Sequence, residues 1–184
     1  MNTKLILIIF IIIYIFYINI FKGYIAFTPT IPIYPNNSKE IVLLKKIIKS
    51  RTQDDIDFFY LTNKSVSSAF LPHVNESDYQ LKKICHSHNY IILAFKYIIN
   101  RPRPNQIDSS IIPINTDTAK TPAYPAGHSY QAYLLYKHLS KKYPEKKELL
   151  RKIALRCDDC RVKAGLHYPS DGEFSRKIVD LFVK

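Results

Sequence analysis

Apolar residues recur at three- and four-residue spacing over 78–100, 127–142, 145–161 and 170–183, and no segment alternates in the manner of a strand. A chain patterned this way buries itself by packing helices, so the expected fold class is all-α, a single helical-bundle domain. A further helix is expected over Lys39–Arg51, with Ile41, Leu44, Ile47 and Ile48 on one face behind Ser38 as N-cap. Gln53–Val74 suggests one short helix, and 101–126 and 162–169 read as irregular. Residues 28–38 contain three prolines and no helical period, which marks an extended linker. The expected organisation is therefore residues 1–27 as an N-terminal hydrophobic helix, 28–38 as linker and 39–184 as the helical domain.

Leu5–Phe21 is apolar except for Asn19 and the tyrosine hydroxyls, and its 17 residues sit at the short end of a bilayer span. A cleaved signal has a shorter apolar core and small residues before the cut, whereas Tyr24 precedes the best site, after Ala26. The expectation is a single-pass membrane anchor through residues 5–21, or a secreted chain if cleaved, with the domain extracytoplasmic or lumenal. Lys4 and Lys22 flank the run evenly and give no orientation by charge. No later stretch is long and apolar enough to span, so the chain is not polytopic.

Charge alone decides no partner, since a bias to Ile, Asn and Lys could also reflect nucleotide composition. Lys and Arg number 27 against 15 Asp and Glu, a formal +12. The first 27 residues hold two lysines and no acid, so 28–184 keep +10. Such a balance suits an anionic partner: phosphate, nucleic acid or a lipid surface. The 47% apolar content excludes a disordered chain, three cysteines exclude a disulfide scaffold, and four glycines argue against a dinucleotide-binding or P-loop fold. No aromatic-interleaved basic module supports nucleic-acid binding.

Several of these charges fall on faces that otherwise look inward. Cys85, Ile92, Lys96 and Ile99 share a stripe, which Arg103 continues two turns after Lys96, with Pro102 and Pro104 ending the helix there. Leu150, Ala154, Cys157 and Arg161 form a second stripe. Asp171 shares a third with Phe174, Ile178 and Leu181. Singly, such residues snorkel or pair with surface acids. Together, three inward cations and one acid leave about two uncompensated positive charges, which a phosphate dianion would neutralise.

Two further segments carry chemistry. Tyr124-Pro125-Ala126-Gly127-His128 precedes a helical pattern, so Gly127 allows close backbone approach and the first helical N–H groups face an anion beside His128. Arg161-Val-Lys-Ala-Gly-Leu-His167-Tyr-Pro-Ser-Asp171 sets a histidine four residues before an acid, a spacing that lets a carboxylate fix the imidazole tautomer.

Lys96-x6-Arg103-Pro104, Pro125-Ala126-Gly127-His128 and Arg161-x5-His167-x3-Asp171, in this order, resemble the three-part signature of the type 2 phosphatidic acid phosphatase superfamily. That superfamily includes soluble acid phosphatases, lipid phosphatases and vanadium-dependent haloperoxidases. The likeness covers about residues 88–182 and is closest to the soluble acid phosphatases. It implies a helical bundle and a phosphohydrolase that needs no metal or cofactor and forms a phosphohistidine. It further implies His167 as nucleophile, Asp171 as its orienting acid and His128 as general acid and base. Lys96, Arg103, Ala126, Gly127 and Arg161 would hold the phosphoryl oxygens, and vanadate would act as inhibitor or transition-state mimic. Implied substrates are a small phosphomonoester or a phospholipid head group. Two positions depart from the signature: Ala126 and Cys160 stand where serine is usual, and Ala126 lacks a hydroxyl donor. A weak or inactive phosphate-binding relative, and a vanadate-dependent haloperoxidase, are the alternatives.

Cys157-Asp-Asp-Cys160 together with Cys85-x-x-His88 offers four zinc-type ligands, against the simpler reading of buried thiols. Asn36, Asn63 and Asn75 head N-x-S sequons in an asparagine-rich chain.

Overall fold

The computed structural model describes residues 33–183, with Leu5, Ile6, Ile8, Ile9, Phe10 and Ile13 helical within the N-terminal apolar run. The anchor expected over Leu5–Phe21 therefore lies largely outside the described residues. Among the described residues no helix is long and apolar enough to cross a membrane.

The chain is all-α, with no strand among the described residues. In order come α1 (Asn37–Lys49), α2 (Gln53–Asn63), α3 (Ser67–Phe70), α4 (Asp78–His86), α5 (Asn89–Ile99), α6 (Pro104–Ile107), α7 (Gly127–Lys142), α8 (Lys147–Lys163) and α9 (Pro169–Phe182). Short 3-10 turns occupy Leu71–His73 and Pro144–Lys146.

Helix α7 is the centre of the bundle and packs against α4, α5, α8 and α9. Its sequence explains why: it is apolar on two sides. Tyr130 and Leu134 face Ile92, Ile178 and Val179 from α5 and α9. Ala132, Leu135, Tyr136 and Leu139 face a second cluster with Phe59, Phe70, Leu81, Leu150 and Cys157. Each such leucine, fully buried, contributes about 1.5–3 kcal/mol of transfer free energy. Helix α1 closes the opposite side, with Ile41 and Leu44 against Ile111, Ala123, Val162 and Tyr168.

Several boundaries differ from the sequence expectation. Asn36, not Ser38, caps α1, its Oδ1 accepting from Lys39 N at 3.2 Å, so the helix starts inside the expected linker. Gln53–Val74 holds two helices and a 3-10 turn rather than one short helix, the first started by a Thr52–Asp55 capping box. The expected helix over 78–100 divides at Ser87-His88. Helix α5 ends on Asn100 in the left-handed conformation (φ 51°), so Arg103 lies beyond it at the start of α6. Leu181 is 75% exposed rather than on the core face with Asp171 and Ile178, because the last turn of α9 buries Val179, and Val183 after it, instead. Cys85, Cys157 and Cys160 are buried free thiols in one core cluster, and burial pushes Cys85 up to about 12 and Cys160 up to about 11. Among the described residues no group of three or more metal-type ligands comes together, so the four-ligand arrangement with His88 does not form.

Asp158 of α8 is the polar tie beneath α7. Its carboxylate accepts from Ser129 Oγ at 2.6 Å and from the Arg176 guanidinium. It lies so close to Gly172 that a β-carbon there would overlap both carboxylate oxygens. Gly172→Ala gains about 0.5–1 kcal/mol of helix propensity but forces this tied carboxylate aside, an overpacking cost of about 1–3 kcal/mol. The expected net loss is about 1–2 kcal/mol in urea unfolding. A variant as stable as the parent would show that Asp158 moves freely.

Candidate active site

The four-residue spacing of His167 and Asp171 follows from how α9 begins. Helix α8 ends in a Schellman turn: Gly165 adopts φ 76°, its N–H donates to Val162 O at 2.9 Å, and Leu166 N–H donates to Arg161 O at 3.2 Å. The chain reverses there, and Pro169 opens α9 at its first position after the Tyr168 N-cap. Asp171 is then the third helical residue. Its Oδ2 reaches back to accept Tyr168 N–H at 2.9 Å and His167 Nδ1–H at 2.9 Å. A carboxylate in this first turn also meets the positive end of the helix dipole. The carboxylate accepts on Nδ1, so Nδ1 carries the proton and the Nε2 lone pair of neutral His167 points away. Arg103 Nη1 lies 3.3 Å from that Nε2.

The other motif residues converge through an irregular segment, 121–126, that they hold in place. Lys96 Nζ donates to Pro122 O at 2.5 Å. Arg103 donates from Nε to Thr121 O at 2.9 Å and from Nη1 to Leu166 O at 2.8 Å. Arg161 donates to Thr62 O at 3.2 Å and to Asn63 Oδ1 at 3.1 Å, while its buried Nε has no partner. All three cations are buried, and among the described residues none meets a carboxylate. Burial pushes both Arg103 and Arg161 down to about 10, and burial together with Arg103 pushes Lys96 well below its ordinary value. Their neutral carbonyl acceptors satisfy hydrogen bonds without cancelling charge.

Helix α7 starts beside them. A β-carbon on Gly127 would have only Lys96 Cε within 4 Å, at 3.9 Å. The N–H groups of Gly127 and His128 have no acceptor within the helix. His128, half-buried, donates from Nε2 to Asn63 O at 3.0 Å, which leaves Nδ1 as its free nitrogen. Ala126 behaves differently from expectation: its N–H donates to Asp171 O at 3.1 Å, so it docks α7 on α9 and is not free for a phosphoryl oxygen. Ser175 Oγ reinforces that joint by donating to Ala126 O and Asp171 O.

Sequence reasoning misses three residues of this site. Arg101 is fully buried and donates to Asp171 Oδ1 at 2.7 Å and to Glu40 Oε2 at 2.6 Å. Asn63, read only as a sequon, accepts from Arg161, Thr116, Thr118 and His128. The repeated Arg-Pro of Arg101-Pro102-Arg103-Pro104 is the signal that could have exposed Arg101. A proline after each arginine confines both to extended backbone, where alternate side chains face the same way. Counted with Arg101, four buried cations face the two carboxylates of Asp171 and Glu40, again leaving two positive charges.

Beside the site lies a cavity of about 300 Å³, lined by Asn105, Gln106, Ile114, Asn115, Thr116 and Leu166. Of the expected phosphate-binding residues Arg103 alone lines it. No family model matches the chain, and no curated protein matches it.

Both imidazoles are held neutral. Burial and Arg103 push His167 well below its ordinary value, and burial and Arg161 do the same to His128. A histidine depressed on folding binds fewer protons folded than unfolded, so stability rises with pH through the window below about 6.5. Lys96 adds a slope of the same sign at higher pH, whereas Asp171, raised by burial, opposes it at low pH. The melting temperature should therefore climb between pH 5.5 and 7.5. His128→Gln should flatten that climb, and an unchanged slope would mean that His128 titrates normally.

Proposed function

We propose that the chain is a metal-independent phosphomonoester hydrolase acting through a phosphohistidine on His167, with the helical fold of the acid phosphatase type. The observation that carries this reading is His167 Nε2, turned away from Asp171 and toward Arg103 Nη1, among three buried cations none of which forms an ion pair with a carboxylate among the described residues.

A phosphoryl dianion among Lys96, Arg103 and Arg161 would neutralise the surplus charge and meet the Gly127 N–H at the start of α7. His167 Nε2 attacks phosphorus, the bond to the ester oxygen breaks, and His128 Nδ1 delivers a proton to that oxygen. Asp171 stabilises the imidazolium that forms. Water then attacks the phosphohistidine, giving its proton to His128, and the N–P bond breaks to release phosphate and restore both rings. The cavity beside Arg103 would take the alcohol part of a small phosphomonoester or a phospholipid head group. A form secreted after cleavage would place this chemistry outside the cytoplasm, and an uncleaved anchor would do so with its C-terminal side extracytoplasmic.

One observation favours a second reading, a weak or noncatalytic phosphate binder. Position 126 offers the ligand neither a hydroxyl nor its N–H, which Asp171 O already accepts. That reading expects phosphate or vanadate to raise the melting temperature without turnover. A haloperoxidase would instead oxidise bromide with peroxide in the presence of vanadate.

The test is release of phosphate from an aryl phosphomonoester by the full chain in excess chelator. Wild-type protein should turn over, and His167→Ala should keep no more than a few per cent. Asp171→Asn should lose about 10³–10⁴-fold, as other His–Asp pairs do. The reaction needs His167 neutral and His128 protonated at once, and both histidines sit below their ordinary range, so the rate should follow a bell with an acidic maximum. A rate flat from pH 4 to 9 contradicts the mechanism.

A further inference from the structure

We propose that Arg101 is a positioning residue for the His167–Asp171 pair, and that Glu40, reaching it from α1, sets how much of the Asp171 charge acts on His167. The inference rests on the phosphohistidine reading and names two residues that the motifs do not contain.

Arg101 is completely buried, and its whole fork is used. Nη1 donates to Asp171 Oδ1 and to Ser170 Oγ, both at 2.7 Å. Nη2 donates to Glu40 Oε2 at 2.6 Å, and Nε donates to Asn37 Oδ1 at 3.0 Å. The guanidinium carbon lies 3.8 Å from the Tyr168 ring centre and 4.6 Å from that of Tyr34. Glu40 in turn accepts from Ser170, N–H at 3.1 Å and Oγ at 2.6 Å, at the second residue of α9. The two oxygens of Asp171 are thus divided: Oδ1 is pinned by Arg101, and Oδ2 faces His167 and the Tyr168 N–H. Turning the carboxylate would break a charged hydrogen bond in a buried site.

Charge gives the second half of the argument. Arg101 with Asp171 alone would be a neutral pair, and little field would remain to favour an imidazolium. Glu40 restores one net negative charge to the three-group set. The other charged or titratable groups that face His167 are cations and an imidazole: Arg103 after α5, Lys96 on α5, Arg161 on α8 and His128 on α7, while the neutral Ala123 carbonyl favours its protonated form. Beyond that one carbonyl, the negative charge that favours its protonated and phosphorylated forms is the surplus carboxylate that Glu40 supplies through Arg101.

The decisive variant is Glu40→Gln in the full chain, which removes the charge and keeps an acceptor oxygen. Expected results are a fall in kcat of about tenfold, KM within twofold, and an acid limb of kcat/KM moved about one unit to lower pH. The His167 imidazole titration followed by NMR should move the same way, and Glu40→Asp should restore both. Arg101→Lys keeps charge but not the fork, and should also lower kcat without raising KM. If Glu40→Gln keeps the parent's kcat and His167 titration while only its melting temperature falls, Arg101 and Glu40 are a structural staple and the proposal is overturned. If the parent itself shows no turnover, the hydrolase reading fails, and the His167 titration still decides the electrostatic claim.

Discussion

Everything at the site hangs on one carboxylate, Asp171, held without exposure at the third position of α9. Its oxygens accept from Arg101, His167 and the Tyr168 N–H, so it caps its own helix, fixes a tautomer and anchors a buried arginine at once. Its backbone carbonyl accepts the Ala126 N–H, which brings the start of α7 against the start of α9. Two helix N-termini therefore converge where His128 and His167 face each other. A helix start normally meets solvent, because its first N–H groups need acceptors. At α9 Pro169 has no N–H and those of Ser170 and Asp171 are taken by Glu40 and the Tyr168 carbonyl, so only the start of α7 keeps N–H groups without a partner in its own helix.

The cations around it are costly to the folded chain. Lys96, Arg103 and Arg161 have hydrogen bonds to carbonyls but, among the described residues, no direct ion pair, so their desolvation is only partly offset. The depressed pKa values of all three, and of both histidines, express that same strain as a reluctance to be charged. Groups arranged for stability alone would sit beside acids, as Lys163 does with Asp55 and Asp159 at the surface. Strain concentrated at one buried point, where cations and imidazoles gather without ion pairs, is costly to stability, and such perturbed groups cluster at functional sites more often than in plain cores.

The sequence made the helices and the inward cations legible because both are local signals. Three- and four-residue spacing identified α7, α8 and α9 to within a few residues, and the stripes through Lys96 and Arg161 placed those side chains in the interior correctly. Arg103 reached the site for another reason than the expected one: α5 stops at Ile99, and the Arg-Pro repeat carries the chain back. Arg101, Glu40 and Asn63 escaped because their meaning lies entirely in distant partners. Glu40 meets residues 61 and 130 positions away, and within its own helix it looks like an ordinary first-turn acid. Asn63 looks like a sequon until α8 brings Arg161 to it across 98 residues.

Asn63 also joins parts of the site that the motifs leave separate. Its carbonyl fixes His128 with Nδ1 free, and its side-chain oxygen accepts from Arg161, Thr116 and Thr118. Thr116 lines the cavity beside Arg103. One asparagine thus connects His128, the Arg161 guanidinium and, through Thr116, the wall of the cavity beside Arg103. Anything seated in that cavity would lie against Thr116, one hydrogen bond from the asparagine at the end of α2 that orients His128.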